Sequence, residues 1–173
     1  MAGAHYDGIA GIFRVTESGG KPDPFAVEVL AYHGAIESEI ERIISGLVER
    51  PDELFTAPPR LTFGHKVNVL RAVWNGEPGQ ADKICPVLLR LNDLRNAVAH
   101  TDPKEIKGCL AGLINAYRKI DNSIGDEVSL LEVMQGICLF FQDGPNVTEI
   151  NAMAEALDEL VNVTLPKAFG AQE

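Results

Sequence analysis

Arg95, Asn96 and His100 stand within one short stretch, LNDLRNAVAHTDP, from Leu91 to Pro103. A histidine, with an ordinary pKa of about 6.5, can take or give a proton at neutral pH. A guanidinium beside it offers paired donors to a phosphate, and its charge favours the pentacoordinate transition state of phosphodiester cleavage. An asparagine can orient a phosphate oxygen or fix the tautomer of the imidazole. Together these groups suit RNA cleavage without a metal, because the 2′-hydroxyl supplies an internal nucleophile once a base removes its proton.

Whether the trio can meet depends on the element that carries it. On a helical wheel of about 100° per residue, Leu88, Leu91, Leu94 and Val98 form an apolar stripe with Arg95 at its edge. Asn92, Ala99, Asn96 and His100 continue round one flank. Asn96 and His100 share a face, whereas Arg95 lies about 140° from His100. A leaning side chain can narrow that gap, and a second chain closes it more easily. A purely structural role fits the same positions: a histidine at a helix C-terminus interacts with the dipole, and an arginine beside a core stripe packs its stem and bonds a neighbouring carboxylate.

The rest of the chain is read the same way. Residues 1–24 are glycine-rich and contain SGGKPDP, the pattern of an N-terminal arm. From Phe25, the residues Val29, Leu30, Ile36, Ile40, Ile43, Ile44 and Leu47 recur at helical spacing, and this helix ends near ERPDEL. Glu53 to Arg60, with its Pro58-Pro59 pair, reads as a loop. Leu61 to Trp74 restarts the period at Val67, Leu70, Ala72 and Val73, and NGEPG stops it. The next helix runs from Asp82, as N-cap, to His100, which puts Pro86 in the first turn, where a missing backbone donor costs nothing.

Asp102-Pro103-Lys104-Glu105 has the order of an N-cap, a first-position proline and a capping-box acid, and opens a helix reaching about Asn122. Further helical segments are expected from Glu127 to Gln142 and from Val147 to about Val163, the latter with Ile150, Met153, Leu157 and Leu160 on one face. Six helical segments without a convincing strand predict an all-α bundle over residues 25–165, followed by a short tail at 166–173.

Composition narrows the function. A chain of 173 residues is long enough for one domain with a sizeable core. The formal net charge of −10 repels polyanions, so any RNA contact must be local. Cys85, Cys109 and Cys138 form no C-x-x-C pair and read as buried free thiols of a reducing compartment. No signal peptide and no membrane-length apolar run is visible, so a cytoplasmic location is expected. Neither a phosphate-binding glycine loop nor a serine-hydrolase elbow occurs, no cofactor is expected, and no metal-ligand spacing is present.

L-x-x-L-R-N-x-x-x-H, carried by Leu91, Leu94, Arg95, Asn96 and His100, resembles the R-x4-6-H motif of the HEPN superfamily of small α-helical domains. Upstream, LTFGHKVNVLRAV resembles the segment in which a Phe-Gly step and a lysine, here Lys66, lead the helix beside the motif helix. AIESEIERII, from Ala35 to Ile44, stands where a long first helix often carries a glutamate. The likeness spans about Ala35 to Tyr117.

It implies a helical bundle, commonly a homodimer with the motif helices facing each other across a cleft. It also implies a metal-independent endoribonuclease of the toxin, defence or RNA-processing type, paired in toxin systems with an antitoxin. Arg95 and His100 would then be the catalytic pair, with Asn96 their polar companion. Many members keep the fold without the activity. Helical regulators of the mannitol-operon repressor type have a similar Phe-x-x-Lys segment and an Arg-Asn-x-x-x-His-like stretch, so a non-catalytic interaction or transcription-regulatory role is the alternative.

Lys66 and Lys104 are candidates for binding the substrate, the first as a local positive charge and the second as part of a rim with Lys107, Arg90 and Arg71. For each, plain solvation is the competing reading. The acids Glu37, Glu39 and Glu41, near His33, read as a solvated face that builds no metal site. Asp93 is placed to tune His100 or to lie on the surface.

Overall fold

The computed structural model describes residues 23–56, 58–100, 103–125 and 127–144, and among these the chain is helical with no strand. The helices are α1 (Pro24–Leu47), α2 (Pro51–Phe55), α3 (Phe63–Val73), α4 (Gln80–His100), α5 (Pro103–Tyr117) and α6 (Leu130–Asp143). The all-α class predicted by the periodicity is the observed one. Asp102, the arm up to residue 22, and the segment from Val147 to Val163 lie outside the described residues.

Each helix start has a local cause. Asp23 caps α1 by accepting from the Phe25 amide at 3.1 Å, with Pro24 in the first turn. Thr62 caps α3 through the His65 amide at 3.3 Å. Ser129 and Glu132 form a reciprocal capping box at the head of α6, which begins at Leu130 rather than at Glu127.

Helix α4 is the middle of the bundle, packed on α1, α3 and α5. Its Ile84, Leu88, Leu91 and Leu94 are wholly buried and meet Ile36, Ile40, Ile43 and Ile44 of α1, Val67 and Leu70 of α3, and Leu113 of α5 in one core. Burial of each such side chain stabilises the fold by about 1.5–3 kcal/mol. From α6, Val133, Ile137 and Phe141 complete that core.

Other sequence expectations are corrected as well. Part of the expected loop at Glu53–Arg60 is helical, because Pro51 opens the short α2 and Asp52 and Glu53 favour its positive end. Helix α4 starts at Gln80, before Asp82, so Pro86 lies inside the helix, where it gives no amide to the Asp82 carbonyl. The start moves because Gly79, at φ +83°, turns the chain, and Gln80 Oε1 then accepts from the Glu77 amide at 3.0 Å and from Trp74 Nε1 at 3.3 Å. The α5 helix stops at Tyr117, short of Asn122, and continues only as turns. Finally, Leu30 and Ala72, expected on core faces, are exposed.

Candidate functional site

The C-terminal half of α4 carries the predicted trio. Leu94, Ala97 and Val98 are buried, so the helix is pinned to the core through its last turns. Arg95 is half-buried at the edge of this stripe, while Asn96 and His100 are exposed. Arg95 Nη1 donates to Asn96 Oδ1 at 3.2 Å. Among the described residues, Arg95 bonds no carboxylate, and no group bonds the His100 ring. The fold thus bonds Arg95 to Asn96, and among the described residues His100 is bonded to neither.

A polar cluster is built between α1 and α3. Successive α1 residues four apart, His33, Glu37 and Glu41, lie on one flank of the isoleucine stripe. Lys66, in the first turn of α3, is only 8% exposed, and its Nζ lies 2.5 Å from both Glu37 Oε1 and Glu41 Oε1. Burial disfavours its charge, yet the bonds to the two carboxylates outweigh that and raise its pKa above the ordinary lysine range.

His33 is equally withdrawn from solvent, with its ring against Phe63 at 4.3 Å between centroids and its Nδ1 4.0 Å from Glu37 Oε2. Among the described residues, its buried Nε2 meets no partner at full hydrogen-bond geometry. Burial pushes the imidazole pKa down; Glu37 opposes this, Arg95 adds to it, Asn92 opposes it and Lys66 adds to it.

Lys66 is therefore not on a solvated turn, and its charge is already matched inside the fold. Glu37 and Glu41 are not a merely solvated face, although Glu39 does pair with Arg42 at 2.6 Å. The remaining basic rim is largely paired: Arg71 with Asp82, and Arg90 with Asp93 at 3.2 Å. Asp93 is thus engaged with Arg90. Lys104 and Lys107 are exposed at the start of α5, and His65 is exposed on α3. The spacing of His33, Glu37 and Glu41 was the sequence signal for the cluster; that Lys66 and Asn92 would meet it had no local signal.

The thiols differ from one another. Cys85 is buried and donates weakly to the Val67 carbonyl at 3.8 Å, Cys109 is partly covered and Cys138 is exposed. Only one of the three thus fits the expectation of buried thiols. Among the described residues, no group of three or more His, Cys, Asp or Glu side chains is placed to hold a metal ion, and no helix is long and apolar enough to cross a membrane. Compared with family models, curated proteins and solved structures, the chain matches none.

Proposed function

We propose that this chain is a HEPN-like domain that cleaves RNA without a metal, acting as a homodimer in the cytoplasm in a toxin, defence or RNA-processing role. His100 exchanges the proton, Arg95 holds the scissile phosphate and Asn96 orients the guanidinium or the phosphate. The observation that carries the reading is the state of the trio on α4. Asn96 and His100 are exposed, and among the described residues Arg95 bonds Asn96 rather than a core carbonyl or a carboxylate. A structural arginine and histidine would have spent those donors on the fold.

Lys104 extends the phosphate-facing surface. The separation of Arg95 from His100 makes the dimer part of the reading, since a partner's α4 can bring a histidine to each arginine. The acidic surface suits a narrow RNA substrate or a neutralising protein partner.

The test is incubation of the purified protein with total RNA in EDTA, beside R95A and H100A. Chelator-resistant cleavage by the parent and its loss in both variants is expected. Intact RNA with a folded parent overturns the reading.

One observation favours the alternative of a non-catalytic regulatory protein: Lys66, expected to offer positive charge to a substrate, is spent on Glu37 and Glu41 inside the fold. Under that reading, H100A leaves RNA intact but weakens self-association in light scattering.

A further inference from the structure

We propose that the apolar groove between α1 and α6 is the docking site for the chain's own C-terminal segment, Val147 to Val163, which lays the apolar face of an amphipathic helix into it.

The groove has a volume of about 480 Å³ and is lined by Tyr32, Ala35 and Ile36 of α1 and, among others, by Leu131, Met134 and Leu139 of α6; none of its lining residues is charged. Helix α6 accounts for this character. Its Val133, Ile137 and Phe141 are buried in the core, yet another side of the same helix is apolar as well, with Leu131 44% and Leu139 59% exposed. A helix that is apolar well round its circumference ordinarily has a neighbour on more than one side.

The occupant follows from where the chain goes next. Helix α6 ends at Asp143, and Gly144 is closed in by Trp74, whose ring a methyl group there would meet. Only Gly144, Pro145 and Asn146 separate α6 from Val147. A link of about two to five residues between helices makes the second an antiparallel neighbour of the first. The segment beyond lies outside the described residues; its sequence puts Ile150, Met153, Ala154, Leu157, Leu160 and Val161 on one stripe, with Glu155 and Glu159 opposite. As a helix it spans about 25 Å, against about 21 Å for the 14 residues of α6.

Two unmatched apolar faces thus belong to one chain and lie next to each other along it. A tether this short holds the segment near the groove at an effective concentration in the millimolar range, well above that of a second copy in solution. The chain's own segment is therefore favoured over a second molecule.

Cys138 also lines the groove, so a thiol reagent reports whether it is covered. In the parent, Cys138 is expected to react at least about tenfold more slowly than in L157D/L160D, whose stripe is broken, while E155Q on the opposite face leaves the rate unchanged. An unreacted Cys85 in each protein shows that the core has stayed folded. Equal rates in the parent and L157D/L160D overturn the proposal. Protection that is lost on dilution also overturns it, because a second copy then fills the groove.

Should L157D/L160D fail to fold, M153C decides. Antiparallel packing sets position 153 beside Cys138, and mild oxidation with oxidised glutathione is expected to join the two within one chain, detected by peptide mass spectrometry at the mass of a monomer. E155C is expected not to join. No link in M153C, a link formed only between chains, or an equal link in E155C overturns the proposal.

Discussion

Lys66 Nζ and Glu37 Oε1 lie 2.5 Å apart across the junction of α3 and α1, with the lysine almost fully covered and the glutamate about a third exposed. Glu41 makes the same contact from one turn further along. Removing one side of a buried pair leaves charge behind without compensation, which costs about 3–5 kcal/mol in a dry interior and less where water reaches the carboxylates. Lys66→Met is expected to lower stability by roughly 1–3 kcal/mol on that basis. Adding E37Q and E41Q to it should recover part of the loss. Urea unfolding of the set measures this, and additive losses would show that the groups are not coupled.

Stability should also report on His33. Its folded pKa lies below the ordinary value of 6.5, chiefly through burial, so the unfolded chain binds the proton more readily. The neutral ring's contribution is therefore complete above about pH 6.5 and declines as the pH falls below it towards the folded pKa. Urea midpoints taken on either side of that value should drop on the acid side in the wild type and flatten in H33F. A wild-type slope retained in H33F would assign the effect to other groups.

The three thiols should separate in labelling with a disulfide reagent. Burial pushes the Cys85 thiol up to about 11, and the side chain is shielded between α3 and α4, so it should react only on unfolding. Cys138 is exposed on α6 among the described residues and should label before Cys85. Mass spectrometry of peptides after brief labelling checks the order, and early modification of Cys85 would mean that α4 opens readily.

Gly136 on α6 is where Tyr117, the last residue of α5, comes to rest: a methyl group added there would overlap the tyrosine hydroxyl and ring. Tyr117 is 4% exposed and has little room to retreat. Gly136→Ala should therefore destabilise the protein by about 1–3 kcal/mol despite its better helix propensity. Gly108, with open space around it on α5, is the control, and Gly108→Ala should be neutral or stabilising. A lower melting temperature for Gly108→Ala than for Gly136→Ala would contradict the packing account.

What the amino-acid order determined by itself is mostly local. The isoleucines of α1 and the leucines of α4 recur at the helical period, and a stripe of that period can be buried only as a helix against other helices. The all-α class and the placement of Arg95 at the edge of a core stripe followed from that. So did the exposure of His100 on the last turn of α4. Boundaries were less legible where side chains from beyond the helix decide them, as Gln80 does with Trp74 and Glu77 at the head of α4.

Tertiary structure alone decided that Lys66, 25 residues after Glu41 in the chain, would leave water to join it and Glu37. It also decided that His33 would be buried with its ring against Phe63 of α3. A charged side chain in a first helical turn ordinarily favours solvent, and only the simultaneous approach of two carboxylates from α1 offsets the loss of hydration. That approach depends on how three helices cross, a relation that no local spacing contains.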